Sequence, residues 1–438
     1  MNVKIGRSKI ISVLTLVWGV TATMPALQIG GSAVSNYIMI VIIALSLQKF
    51  IRIKKKYFVC FLWTIALVCT SVVNSGLIPE HYEDNSLMMI FKLVLIFLCV
   101  YCVEEQEANL TEIFLKGIYY GAVVQGIWML LELIFWYGGG ISINSLIFGK
   151  ILNVGVGEED WLTIKDGLFR PTGIGWDSAT LGLLFLIAFV LAKSVREKAC
   201  FIVLLILSTS RHGMMGLLIL CVVHVIQRNL HKRNTVKRKT LVAGMGAFLL
   251  GIIVLIVAIY NNGTAVKLLF NRFMSVFGLA SGTADSSSIR HISYYFELID
   301  IFKNSSIFQV LFGWGTFSAG YPYSSICGVY RYISYAWTPE SDFVTFAVGN
   351  GIVGFLIYYY IVMRDLKIYS KKDSHKFYLV LAILACGFMY FFARSVWTIE
   401  ILLLLFMSNK KNTDFDLQNS VDIVNQEKFR AIKMYNKA

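Results

Sequence analysis

Long apolar runs, separated by short polar stretches, fill most of this chain. Runs of about twenty apolar residues have the length of a membrane-spanning α-helix, a form in which the backbone satisfies its own hydrogen bonds inside lipid. The pattern therefore predicts an all-α, polytopic membrane protein with about twelve transmembrane helices. The predicted spans lie at 9–28, 33–48, 57–75, 87–103, 111–137, 176–192, 199–227 (counted as two), 240–260, 343–363, 377–393 and 396–407.

The run at 199–227 is divided because basic segments flank it on both sides. Lys and Arg collect at the cytoplasmic ends of membrane spans. One long helix would put the two basic segments on opposite faces of the membrane, whereas two short spans meeting near LSTSRHG keep both inside. We therefore predict a break in this run, with Arg211 at an outer turn.

Composition and charge agree with this assignment. Hydrophobic residues make up 57% of the 438 positions, and the mean hydropathy is +0.67. In a soluble protein, a net charge of +14 would suggest binding to nucleic acid. Here, however, most Lys and Arg form clusters beside predicted spans. Such clusters set the orientation of the chain and contact anionic lipid headgroups. We predict that both termini are cytoplasmic, that membrane lipids are partners, and that nucleic acid is not.

The longest interval without a membrane-length apolar run is 261–342, named here the large loop. We predict one transmembrane domain over 1–407, with external loops at about 138–175 and 261–342, followed by a cytoplasmic tail at 408–438. Within the large loop, SSSIRHISYYFELIDIFKNS carries apolar residues at helical spacing. It predicts an amphipathic helix with Arg290 in its first turn.

Three of the arginines outside the basic clusters are singled out on the predicted outer side: Arg170 before the span at 176–192, Arg211 at the turn within 199–227, and Arg290 in the large loop. The planar guanidinium group binds phosphate through two hydrogen bonds, which makes each a candidate for an anionic substrate. Taken alone, an arginine at such a position is more often a contact with lipid phosphate or a satisfied structural charge. Lys92 and Glu132 lie at a similar depth and could form an ion pair.

The large loop also contains YPYSSICGVYRYISYAW, which includes Tyr321, Tyr323, Tyr330 and Trp337. These rings could stack on the faces of sugars or form the aromatic belt of the outer membrane interface.

The acidic clusters elsewhere in the chain are interpreted as solvated surface, so we predict no cofactor and leave a divalent metal ion open. These clusters lie at 80–84, 158–160 and 414–416.

Four segments together resemble the O-antigen polymerase and ligase superfamily. They are RPTGIGWDSATLG, LSTSRHGMMGLLI, SSIRHISYYFELI followed by LFGWGTF, and TPESDFVTFAVGNGIVGFLIYY. The resemblance covers about 165–363 and implies a bacterial membrane glycosyltransferase that acts on polyprenyl-diphosphate-linked glycans. It also implies that the protein lies in the bacterial cytoplasmic membrane.

The resemblance assigns roles to individual residues. It implies that Arg170, Arg211 and Arg290 bind the diphosphate. It also matches Gly313 and Gly315 to the Gly-x-Gly turn of the family. Gly351 and Gly354 match the family's glycines in the helix after the large loop.

This sequence departs from the ligase pattern at one position. Family ligases have a His-Asn pair eleven residues before the first glycine of that helix, and here Glu340 and Ser341 stand in its place. A carboxylate can accept the proton of an acceptor hydroxyl, so Glu340 is the first candidate for the general base. Asp342 and His291 are the further catalytic candidates.

The function that follows is polymerisation of lipid-linked repeat units into a surface polysaccharide, such as an O-antigen, capsule or exopolysaccharide. A flippase and a chain-length regulator are the partner proteins that such an enzyme implies. One alternative is a ligase that transfers the finished glycan to a terminal acceptor. Another, from a different class, is a polysaccharide or lipid transporter. A transporter would favour charges deep in several helices, whereas these charges gather at one face.

Overall fold

The computed structural model describes residues 6–46, 55–74, 76–104, 109–154, 164–165, 168–175, 177–231, 286–316, 318–328 and 339–408. Over these residues the chain is helical apart from two short antiparallel strand pairs, so the predicted all-α class is confirmed. The predicted span at 240–260, most of the aromatic segment and the tail from 409 lie outside the described residues.

The first half of the chain forms six helices: α1 (Arg7–Ala22), α2 (Val34–Ser46), α3 (Lys55–Val73), α4 (Glu80–Glu104), α5 (Leu110–Gly139) and α6 (Ser178–Leu191). A π-helix spans Ser145–Ile151. Strands β1 (Gln28–Ile29) and β2 (Ser32–Ala33) pair between α1 and α2, and strands β3 (Ile164–Lys165) and β4 (Leu168–Phe169) pair before α6.

The second half contributes the remaining helices: α7 (Val195–Leu207), α8 (Arg211–His231), α9 (Ser286–Asn304), α10 (Ile307–Phe312), α11 (Gly320–Ser325), α12 (Asp342–Gly349), α13 (Gly351–Lys372), α14 (Ser374–Met389) and α15 (Trp397–Ser408). A 3-10 helix at Phe392–Ser395 joins α14 to α15.

Among the described residues, α5 is the one helix that is both long and apolar enough to cross a membrane by length and composition. Seven shorter apolar helical segments accompany it, including α6, α14 and α15. The number of spans therefore stays a prediction.

The predicted break in 199–227 is confirmed. Helix α7 ends at Leu207 and α8 begins at Arg211. Between them Thr209 adopts a left-handed backbone with φ of 56°. The break puts Arg211 at the first residue of α8, next to the predicted turn, and the side of the membrane on which it lies stays a prediction.

The prediction of a single helix at 343–363 is wrong, because the chain forms α12 and α13 with a break at Asn350 and Gly351. Gly351 has φ of 64°, a backbone conformation that favours glycine. Beside the break, the N–H of Trp314 donates to the carbonyl of Val348 (3.0 Å), and that of Gly315 donates to the carbonyl of Gly349 (2.9 Å). The break is therefore stabilised by a distant segment of the large loop.

The helices pack closely where small residues meet. A Cβ at Gly182 in α6 would lie 2.2 Å from the Cβ of Ser210, which directly precedes α8. A Cβ at Gly216 in α8 would lie 2.5 Å from Sγ of Cys386 in α14. These contacts bring the starts of α6 and α8 together with the C-terminal end of α14, and they define the end of the bundle that carries the candidate site.

Candidate active site

Arg170 lies in a turn between β4 and α6 that buried side chains of α5 hold in place. The Glu132 carboxylate accepts the backbone N–H of Gly173 (2.7 Å) and that of Thr172 (3.3 Å). The Gln125 carbonyl oxygen accepts the N–H of Ile174 (2.6 Å). Gly173 has φ of 66°, which suits glycine in so tight a turn.

Asn144 completes this buried network. Its amide nitrogen donates to Glu132 (2.8 Å) and to the Gly173 carbonyl (2.7 Å), and its oxygen accepts the indole N–H of Trp128 (2.7 Å). Because buried polar groups are costly unless they are hydrogen-bonded, this network fixes one conformation of the turn. The position of Arg170 is therefore set by Glu132 and Gln125 on α5 and by Asn144 beside the π-helix.

The start of α6 connects this turn to the C-terminal part of the chain. Asp177 caps the helix by accepting the N–H of Ala179 (2.5 Å) and the hydroxyl of Thr180 (2.8 Å). The Thr180 and Ser395 hydroxyls share a hydrogen bond of 3.1 Å, although the two residues lie 215 positions apart. The turn carrying Arg170 is thus fixed beside the 3-10 helix that follows α14.

Arg211 is the first residue of α8, and Ser210 holds its backbone next to α6. The Ser210 hydroxyl accepts the N–H of Gly213 (3.2 Å) and donates to the carbonyl of Ala179 (3.5 Å). Both helix starts therefore lie side by side, with Arg170 just before one and Arg211 at the first residue of the other.

Glu340 lies in the short turn before α12, and it is partly buried. Ser341 caps α12 and its hydroxyl donates to the Phe388 carbonyl (3.1 Å). The N–H of Asp342 donates to the Tyr390 carbonyl (3.3 Å). These bonds attach the Glu340 turn to the C-terminal end of α14, which is also the end that meets α8.

The electrostatics of Arg170 show which charged groups lie close to it. Burial lowers the pKa of Arg170, while Asp177, Tyr390 and Glu340 raise it and Arg211 lowers it further. Within the described part of the chain, the buried Nε of Arg170 has no hydrogen-bond partner. Arg170, Arg211 and Glu340 therefore share one electrostatic environment, although they come from three distant parts of the sequence.

Asp342 occupies a different place. Its side chain is buried, with 2% of its surface exposed, and a Cβ at Gly387 would lie 2.6 Å from its Oδ2. Asp342 is two residues from Glu340 in sequence, but its side chain faces α14.

The predicted amphipathic helix in the large loop is α9, and Tyr295 attaches it to the Glu340 turn. The Tyr295 hydroxyl hydrogen-bonds Ser341 Oγ (3.0 Å) and the Phe388 carbonyl. The backbone of Arg290 and His291 lies in the first turns of α9, and their side chains lie outside the described residues. Their predicted roles stay predictions.

The four predicted glycan-binding aromatics have different surroundings. Tyr323 has no exposed surface, and its hydroxyl donates to the Tyr294 carbonyl (2.6 Å), so its ring offers no open face for a sugar in this structure. Tyr321 is partly exposed, with its ring centroid 6.0 Å from that of Trp314. Tyr330 and Trp337 lie outside the described residues.

Two contributors to the site were not predicted. Glu132 was considered only as a possible ion-pair partner of Lys92, whereas it holds the turn that carries Arg170. Tyr390 was not singled out, because one tyrosine at a span end resembles any residue of the interfacial belt. Tyr390 differs from such a residue in its contacts with Asp342 and His212, which are distant in sequence.

The structure groups no metal-binding set of three or more His, Cys, Asp or Glu side chains within the ranges that it describes. The side chains at 80–84 and the whole of 158–160 and 414–416 fall outside those ranges.

Comparison with known families gives a match over part of the chain. Residues 198–359 match the Wzy_C family model, described as O-antigen ligase. No curated protein matches the chain significantly. The matched region contains Arg211, Arg290, Glu340 and the α12–α13 break, while Arg170 lies before it.

Proposed function

We propose that this membrane enzyme of the O-antigen ligase family polymerises polyprenyl-diphosphate-linked oligosaccharide repeat units into a surface polysaccharide. The observation that carries the proposal is that one end of the helical bundle holds the turn with Arg170, the start of α8 with Arg211 and the turn with Glu340. Two cations and a carboxylate provide the functional groups for glycosyl transfer from a lipid diphosphate.

The proposed reaction is a substitution at the anomeric carbon of the donor glycan. An acceptor hydroxyl oxygen forms a bond to that carbon, and the bond from the carbon to the diphosphate oxygen breaks. The polyprenyl diphosphate leaves with the electron pair, and the hydroxyl proton passes to a base. Catalysis then requires stabilisation of the charge that develops on the diphosphate and a correctly placed proton acceptor.

Arg170 and Arg211 are proposed to bind the departing diphosphate. Guanidinium groups bind phosphate oxygens through paired hydrogen bonds, and a partly buried setting strengthens this attraction. The buried Nε of Arg170, which lacks a hydrogen-bond partner among the described residues, supports an anion-binding role. Arg290 is proposed as a third diphosphate-binding residue because α9 is attached to the Glu340 turn through Tyr295.

Glu340 is proposed to accept the proton. Its turn is bonded to the end of α14 that meets α8, the helix that begins at Arg211. Asp342, which is buried against Gly387, is the weaker candidate. The proposed orientation puts this end of the bundle on the outer face of the bacterial cytoplasmic membrane, with both termini in the cytoplasm.

A ligase reaction is the second candidate, and the description of the matched family model favours it. A ligase transfers one finished glycan to a terminal acceptor, whereas a polymerase adds repeat units to one another. By the resemblance, Glu340 stands where family ligases have histidine, and we take this departure to favour the polymerase.

Reconstitution of the purified protein with lipid-linked repeat units tests the proposal. A ladder of products spaced by one repeat unit, formed without added terminal acceptor, is the result expected of a polymerase. A single transfer product that appears only with a terminal acceptor would identify a ligase. Absence of both products, with folded protein and intact donor, would contradict glycosyl transfer.

A further inference from the structure

Tyr390 is held rigidly between the Glu340 turn and the start of α8. As the residue after α14, it donates its backbone N–H to the Cys386 carbonyl (2.9 Å). Its own carbonyl accepts the N–H groups of Asp342 (3.3 Å) and Phe392 (3.1 Å). Its backbone is therefore fixed by local bonds at the end of α14 and by one distant segment, the start of α12.

The ring of Tyr390 is also fixed. Its centroid lies 5.0 Å from that of His212, which follows Arg211, and 5.0 Å from that of Phe392. The Cys386 thiol donates to the His212 carbonyl (3.5 Å), which keeps α8 and α14 together at this level. The phenol is thus held beside the first turn of α8.

The Tyr390 phenol also lies within electrostatic range of Arg170. Burial has the largest influence on the pKa of Arg170 and lowers it, while Asp177 and then Tyr390 raise it. Together with the ring contact to His212, this influence puts Tyr390 in the same cluster as Arg170 and Arg211.

We propose that the Tyr390 hydroxyl donates a hydrogen bond to the substrate diphosphate, beside Arg170. This inference rests on the proposed function and names a further substrate-binding residue of the same site. A diphosphate presents more acceptor oxygens than one guanidinium group can bind. A neutral hydroxyl adds a donor without repelling the neighbouring arginines.

The test measures the affinity of the purified protein for inorganic pyrophosphate by calorimetry. Tyr390→Phe keeps the ring contacts and removes the donor, so its Kd should rise by about 10–100-fold, the range for a hydrogen bond to a charged group. Tyr390→His keeps an aromatic ring with an N–H donor, and its Kd should stay within about fivefold of the wild-type value.

Tyr378→Phe is the matched control. Tyr378 lies twelve residues earlier on the same helical stretch, about 18 Å away along the axis. The Tyr378→Phe substitution likewise removes a hydroxyl, one that hydrogen-bonds His224 (2.9 Å) and Gln227 (3.0 Å). Its pyrophosphate affinity should equal that of the wild type.

An unchanged Kd in Tyr390→Phe, or equal losses in the Phe and His variants, would overturn the inference. The binding measurement needs no turnover. It therefore gives a result even if the reconstituted protein makes no polymer, an outcome that would count against the proposed function alone. If the Phe variant does not fold, the His variant decides, because a large loss in a folded His variant contradicts a donor role.

Discussion

At the scale of single residues, the account depends on charges that the fold brings together. Arg170 and Arg211 belong to separate helix starts, and Glu340 belongs to a turn more than a hundred residues later. The resemblance of short motifs suggested each of them separately. Their proximity depends on contacts such as Thr180 with Ser395, which no local pattern predicts.

Replacing Arg170 or Arg211 by Ala should reduce polymer formation by about 10²–10³-fold, because each removes one stabilising donor group from the developing charge. Lys should restore only part of the rate, since it is a point charge without a planar fork. Rates are measured with purified protein and lipid-linked repeat units. Lys303→Ala is a suitable control, because Lys303 is exposed and paired with Asp300 (3.8 Å). Normal rates in both Ala variants would remove the arginines from the mechanism.

Glu340→Gln keeps the shape of the side chain but removes its ability to accept a proton. The rate should fall by about 10²–10⁴-fold, the usual contribution of general acid–base catalysis. Pyrophosphate affinity should be largely kept, because the arginines remain. Asp342→Asn should have a milder effect on the rate. Full ladders at the normal rate from Glu340→Gln would transfer the role of base to Asp342 or His291.

At the scale of elements, the turn that carries Arg170 depends on α5. In Glu132→Gln, an amide N–H₂ group replaces a carboxylate oxygen, so the N–H of Gly173 or Thr172 loses its acceptor. An unsatisfied buried donor costs about 1–3 kcal/mol. We expect a lower melting temperature together with weaker pyrophosphate binding. Glu112→Gln, on the exposed first turn of the same helix, provides the control. Unchanged binding in a folded Glu132→Gln protein would argue that the turn does not position Arg170.

The α12–α13 break was not predicted because 343–363 is mostly apolar and was interpreted as one span. The triplet Gly349-Asn350-Gly351 in its middle is the local turn signal that could have indicated the break. The break is stabilised by backbone contact with 313–315, at the glycines that the motifs of the large loop had marked. In contrast, the α7–α8 break was predictable, because its prediction needed only the basic residues on both flanks, which are visible in the sequence.

Gly351→Ala tests the contact at the α12–α13 break. The new Cβ would lie 2.3 Å from the backbone N of Gly313, and the positive φ of 64° adds strain of about 1–3 kcal/mol. A lower melting temperature is therefore expected. Gly138→Ala, whose Cβ would meet nothing within 4 Å, should have little effect. Equal melting temperatures for both variants would show that the 313–351 contact does not stabilise the fold.

At the scale of the whole molecule, the sequence predicted the helical class and the order of most elements, while the orientation in the membrane stays a prediction. It can be tested by labelling single cysteines in intact cells with an impermeant maleimide, in a background that lacks the eight native cysteines. Leu77→Cys, between the predicted spans at 57–75 and 87–103 and on the outer side in the proposed topology, should be labelled. Val195→Cys, which is 83% exposed at the start of α7, should be labelled only after lysis. The reverse pattern would invert the proposed topology.

The central claim is that Arg170 and Arg211 act on one diphosphate. A double-mutant cycle of Arg170→Lys and Arg211→Lys, measured as the rate of ladder formation, tests it most directly. Groups that bind one ligand should couple by about 0.5–3 kcal/mol. The fold-reduction in rate of the double variant should therefore differ from the product of the fold-reductions of the two single variants. If the two losses simply multiply, the arginines act at independent sites and the account of a shared diphosphate site is contradicted.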